Sequence, residues 1–187
     1  MRVRTRRALL ESFIEQLELL TPAAQAKADE SIDTRKTAVD LAMLICSRLH
    51  LVAKQLQHRR QNRPTLTITD EYDVQDLLHG LLRLHFDDVR AEEWAPSYGG
   101  GASRMDFLLK EEKIVIEVKM ARANHGAKEI SEELIIDAAR YKTHPDCKTL
   151  VCLVYDPNNQ IKNPRGVERD LAKLSGDELE VVCIITP

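Results

Sequence analysis

Apolar residues recur every three or four positions through the first third of the chain. Residues 6–20 form one amphipathic segment that stops before Pro22. Residues 34–60 form a second, with Val39, Ala42, Ile45, Leu49, Val52 and Leu56 on one stripe, a helical period. That stripe runs for about five turns. It is long for a helix with one small neighbour, and it is expected to cover its apolar face with the rest of the chain, a second copy or another protein. The basic cluster "HRRQNR" follows and Pro64 ends the segment. Cations beside a helix C-terminus are favourable, so the cluster reads either as a cap or as a phosphate contact.

Beyond Pro64 the period changes. Thr69 or Asp70 can cap a helix over "EYDVQDLLHGLLRLHF", whose apolar face is Val74, Leu77, Leu78, Leu81, Leu82 and Leu84. A short strand "VRAEEWA", a loop "PSYGGGA" and an apolar hairpin "SRMDFLLKEEKIVIEVKMAR" come next. Then follow a helix "AKEISEELIIDAARYKTH" with Ile130, Leu134, Ala138 and Tyr141 aligned, a strand "TLVCLVYD", a loop "PNNQIKNP", a helix "VERDLAKLS" and a strand "LEVVCIIT". The order αβββαβαβ predicts an α/β fold, a mixed central sheet flanked by helices, behind an N-terminal helical segment.

The hairpin departs from its own pattern. Alternation places Met105, Phe107 and Leu109 on one face and Arg104, Asp106 and Leu108 on the other. In the second strand Val115, Glu117 and Lys119 share a face. A turn centred on Glu111-Glu112 sets Lys110 against Lys113, Asp106 opposite Glu117 and Arg104 opposite Lys119. Directly opposed carboxylates about 5 Å apart repel by about 3 kcal/mol at an effective dielectric near 20. Such a pair calls for a bound cation or a shared proton. Hard oxygen ligands suit Mg²⁺ or Mn²⁺, and Lys119, one step along the same face, can hold a water or a developing negative charge. The competing reading is a solvated face on which Arg104 and Lys119 neutralise the two acids.

Composition and charge narrow the picture only a little. The 187 residues are 43% apolar and 30% charged, ordinary for a globular chain. No apolar run approaches the ~18 residues of a membrane span. The start "MRVRTRRALLESFIEQLELL" is basic, but its acids argue against a signal or transit peptide, and a cytoplasmic protein is expected. The net charge of −3 divides into +5 over residues 1–64 and −8 over the rest, so bulk charge does not announce a polyanionic partner. Cys46, Cys147, Cys152 and Cys183 lack CxxC spacing, and Cys152 and Cys183, in apolar strand-like runs, read as buried thiols. His144, Cys147 and Cys152 are a conceivable zinc set, against the simpler reading of a polar loop entering a strand.

An Asp, about ten residues, then Glu-x-Lys on consecutive strands resembles the PD-(D/E)XK nuclease superfamily. The wider set is similar to the DpnII/MboI-type restriction endonuclease domain over roughly residues 66–187. That set is Glu71 and Gln75, "EEW", "RMDFLL", "IVIEVK", "ARYKTHPDCKTLVCLVYDP", "NP" and a Glu in the next helix. Met105 stands where the family usually has Pro.

The resemblance implies a nuclease domain at 65–187; the helical stretch at 1–62, which it does not cover, is expected from its apolar stripe to be an assembly or partner-docking segment. It implies Asp106, Glu117, the Val118 carbonyl and Glu71 as ligands of Mg²⁺ or Mn²⁺, with Lys119 activating water. Glu71 is equally a first-turn acid favoured by the helix dipole. Arg104, Gln75 and Arg122 would meet the substrate, with Lys128, Arg140 and Lys142 nearby in sequence. The expected function is hydrolysis of DNA phosphodiesters in a restriction or antiphage defence system, with a homodimer as one assembly. The alternatives are an RNA or single-strand nuclease, or a non-catalytic interaction protein working through its N-terminal helices.

Overall fold

The computed structural model describes residues 34–98 and 101–187. The helix predicted over 6–20 lies outside them. The chain divides into a unit at Met1–Ala38 and a unit at Val39–Pro187.

Helix α1 spans 34–57. Val39, Ala42, Ile45 and Leu49 of its predicted stripe are buried, Val52 and Leu56 are half-buried, and Ala53, outside the stripe, is buried. At its end a ring nitrogen of His58 lies 2.7 Å from the Lys54 carbonyl, so the start of the basic cluster caps the last turn. A short 3₁₀ turn, Arg60–Asn62, follows. Helix α2 is Glu71–Leu82. Asp70 caps it by accepting from the Asp73 N–H, and the Asp73 side chain accepts in return from the Asp70 N–H. This reciprocal box satisfies amides that a helix start leaves free. Val74, Leu78 and Leu82 are buried, but Leu84 lies beyond the helix and is exposed, so the predicted face is one turn too long.

Strands β1 (Val89–Tyr98), β2 (Gly101–Leu109), β3 (Ile114–Met120), β4 (Thr149–Tyr155) and β5 (Glu180–Thr186) make one sheet in sequential order among the described residues. The first three are antiparallel, and β3–β4 and β4–β5 are parallel. Helices α3 (Ala127–Tyr141) and α4 (Pro164–Ala172) are the two crossovers. Strand β1 runs through much of the stretch predicted as a loop. Tyr98 pairs with Gly101 after a register shift between Ala95 and Tyr98.

Both faces of the sheet are covered. Ile130, Leu134 and Tyr141 of α3 and Leu171 of α4 share a core with Leu108, Val115, Leu150, Cys152 and Val181. On the other face the His79 ring of α2 lies 5.4 Å from Phe107, and His50 of α1 lies 3.2 Å from the Tyr155 hydroxyl. Strand β4 is buried throughout, as a central parallel strand should be. No helix among the described residues is long and apolar enough to cross a membrane.

Candidate active site

The hairpin register is the predicted one at its closed end. Leu109 pairs with Ile114, Leu108 with Val115 and Phe107 with Ile116. The Lys113 N–H meets the Lys110 carbonyl across the turn, 3.3 Å away. The ladder of paired residues ends there, and Asp106 lies at the break. Met105 packs in the same core as Leu108, whereas Phe107 contacts α2 on the opposite face. Strict alternation therefore fails between Met105 and Phe107. The neighbouring strand is irregular at the same level: Glu92 has a left-handed φ of 55° and is skipped between the Ala91–Phe107 and Glu93–Met105 pairs. A left-handed glutamate is uncommon and costs backbone energy.

Where β2 leaves β3, carboxylates replace it. The Val118 N–H donates to Asp106 Oδ2 at 2.7 Å. Two residues on, the Met120 N–H donates to Glu71 Oε2 at 3.1 Å, tying the first residue of α2 to the end of β3. The N–H and C=O of one strand residue point to the same edge. The Val118 carbonyl is thus turned to the edge that β2 has vacated.

Glu117 and Lys119 lie on the α3 face of the same strand. Glu117 is only 4% exposed. Its Oε1 is 2.6 Å from Lys119 Nζ and its Oε2 accepts from the Tyr141 hydroxyl at 2.9 Å. Lys119 Nζ is also 3.5 Å from Asp137 Oδ2 on α3. Burial, reinforced by the charge of Asp106, raises the Glu117 carboxyl to about 8. Burial likewise raises Asp106 to about 6, with Glu71 and Asp137 adding to it and the Val118 N–H and Lys119 opposing. Burial disfavours the Lys119 ammonium, but Glu117 and Asp137 more than restore it and hold it above the usual lysine range. The site thus gathers more buried acid than its one lysine neutralises.

Arg104 is placed elsewhere. Its guanidinium pairs with Glu92 at 3.0 Å and lies 5.8 Å from the centre of the Trp94 ring, so Glu92, not Asp106, is its partner. The expected balance of Arg104 against Asp106 in a solvated face is not what forms. Gln75 is half-buried and, with Tyr72, His79 and Asp106, lines a cavity of about 230 Å³. Exposed Arg122 lines a second, of about 580 Å³, with Glu71, Tyr72, His125 and Glu133. Tyr72 borders both. Of the remaining cations, Lys128 is 4.0 Å from Glu132, Lys142 is 3.0 Å from Glu178 and Arg140 is 3.6 Å from Asp137. Glu168 of α4 accepts from the Ile185 N–H and serves the last strand.

Two residues of the site escaped the sequence reading, Asp137 and Tyr141 as a hydroxyl donor. The signal was present: Asp137 stands three residues after Leu134, on the stripe that α3 buries. The zinc alternative fails. Cys147 and Cys152 are buried thiols, and among the described residues no three His, Cys, Asp or Glu side chains gather to hold a metal ion, so His144, Cys147 and Cys152 do not form a site. The His144 Nδ1 meanwhile accepts the Asp146 N–H.

Among the described residues no three His, Cys, Asp or Glu side chains gather as a group that could hold a metal ion. The donor set nevertheless fits a hard divalent cation. Half-buried Asp106 and buried Glu117 are oxygen donors, the Val118 carbonyl lies on the edge where Asp106 binds, and Lys119 holds Glu117 in the place of a cation. Catalytic sites keep positions open for water and substrate, so a closed protein cage is not required.

A family model for DpnII-MboI restriction endonucleases, REase_DpnII-MboI, matches residues 41–187. It begins within α1 and takes in Glu71, Asp106, Glu117, Lys119 and Asp137. No curated protein and no solved structure matches the chain. The chain belongs to the DpnII-MboI restriction endonuclease family, a family of enzymes that cut DNA.

Proposed function

We propose that the protein is a divalent-metal-dependent endonuclease that hydrolyses DNA phosphodiesters, acting in a restriction or antiphage defence system. The observation that carries this reading is the pair of half-buried Asp106 and buried Glu117, each raised by desolvation, beside Lys119 at the end of β3. Asp106, Glu117 and the Val118 carbonyl would hold Mg²⁺ or Mn²⁺, with Glu71 as a further carboxylate. A divalent ion there supplies Lewis acidity, which stabilises charge developing on the phosphate.

The chain's own groups do the rest. The Val118 N–H fixes Asp106 in place, and the Tyr141 hydroxyl fixes Glu117. Lys119, released from Glu117, presents an ammonium to the attacking water or to a phosphate oxygen, where preorganised charge has its largest effect. Arg122 and Gln75 line the cavities on either side of Tyr72, where the backbone of a duplex would enter. Phosphate contacts of that kind set the register of the DNA without reading its sequence.

Supercoiled plasmid incubated with Mg²⁺ or Mn²⁺ should be nicked and linearised, and EDTA should stop it. Labelled RNA in parallel separates the substrates. Cleavage of RNA with intact plasmid would replace DNA with RNA as the substrate. Cleavage undiminished in EDTA would end the metal assignment.

A further inference from the structure

We propose that Asp137 is a positioning residue for catalysis: it retains the Lys119 ammonium in the site when Glu117 turns its carboxylate to a cation. This role rests on the nuclease reading above.

Lys119 is a largely covered side chain on a flexible stem, 12% exposed, and its ammonium has three protons to place. Two acids receive it, Glu117 Oε1 at 2.6 Å and Asp137 Oδ2 at 3.5 Å. They are not equivalent. Glu117 is on β3 and is one of the oxygens offered to a cation, so an ammonium and a divalent ion there repel each other. Asp137 belongs to α3, and its other oxygen is held by Arg140 Nη1, 3.6 Å away. Once Glu117 is engaged, Asp137 is the carboxylate left to a largely covered lysine, which cannot stay charged and unpaired without a large penalty.

The fold places this acid deliberately. Asp137 lies three residues after Leu134 and four before Tyr141, both fully buried. Positions four apart share a helix face. One face of α3 thus sends Tyr141 to Glu117 and Asp137 to Lys119, meeting both polar side chains that β3 turns toward it.

The test uses the full chain, plasmid cleavage with Mg²⁺, and Mn²⁺ binding followed by electron paramagnetic resonance without DNA. Asp137→Asn should lower kcat by about 10–100-fold, the usual cost of an orienting partner. KM and Mn²⁺ affinity should stay within about twofold, because binding in the ground state is untouched. In a Lys119→Ala background the same substitution should cost nothing more, since residues acting through one another are not additive. Asp137→Glu keeps the charge and should retain more activity than Asp137→Asn.

Unchanged kcat in Asp137→Asn, a full multiplicative loss in the double variant, or a reversed order of the Glu and Asn variants would each overturn the role. A loss of Mn²⁺ affinity as deep as that of Asp106→Ala would make Asp137 a ligand instead. A wild type that cuts no DNA with either metal overturns the nuclease reading, and this role with it. An active wild type with an additive double variant overturns only this one.

Discussion

The two halves of β3 use the same edge in different ways. From Ile114 to Ile116 that edge is bonded to the backbone of β2, residue against residue. From Val118 to Met120 the amides on the same edge go to the Asp106 and Glu71 carboxylates. The opposite edge is uniform, paired with β4 from Ile114–Thr149 to Met120–Tyr155. A strand can therefore lose a neighbour without orphaning its buried amides, provided side-chain acceptors replace the lost carbonyls. The replacement also aims two acids along the strand. The first half is stabilised by apolar burial and a regular ladder, and the second is held by the groups assigned to chemistry.

The sharpest way to separate the halves is to remove the acids. Asp106→Ala and Glu117→Ala should each lower plasmid cleavage by about 100-fold or more, the scale on which loss of one electrostatic group acts. Either variant cleaving near the wild-type rate would show that the far half of β3 is an opened sheet edge and not a site.

A second prediction concerns pH in the metal-free protein. Glu117 is raised from 4.5 to about 8 by burial and by Asp106. A carboxyl that binds its proton more tightly when folded stabilises the fold fully below its unfolded pKa. It loses that contribution as pH rises through the folded value. Wild type should thus lose melting temperature relative to Glu117→Gln between about pH 5 and about pH 9. Mg²⁺ at the upper end should narrow the gap, because a cation binds the deprotonated acids. A gap constant across that range would mean that Glu117 titrates in the folded protein as it does in the unfolded chain.

The regular half is also the half that the sequence made plain. Period two in "IVIEVK", period 3.6 in "ISEELIIDAARY" and turn residues between them place β3, α3 and the register at the turn. The break at Asp106 was not legible. Alternation assigns Met105 and Phe107 to one face, and only the loss of the ladder after Phe107, with Glu92 left-handed opposite, sends them to different cores. Arg104 was misplaced for the same reason: counting along an ideal hairpin sets it over Lys119, but β2 has left by then and Arg104 pairs with Glu92. Asp137 could have been found, as a charge on a buried stripe. The Glu71–Met120 bond could not, since it joins residues 49 apart through a backbone amide with no side-chain signature.

The smallest expected effect tests the independence of the regular half. Ile116 is fully buried and pairs with Phe107 on one side and Val151 on the other. Ile116→Val removes one methylene from a packed face and leaves every backbone bond of the ladder in place. It should cost about 0.5–1.5 kcal/mol of stability, the transfer energy of the lost group plus a small cavity. Cleavage, measured well below the melting temperature, should stay within about twofold of wild type, because the site's amides are satisfied by Asp106 and Glu71 and not by this ladder. The result to watch for is a disproportionate loss. If Ile116→Val cut activity as deeply as removing Glu117, the carboxylates would be depending on the packing beneath Phe107 for their aim. The two halves of β3 would then have to be treated as one coupled unit.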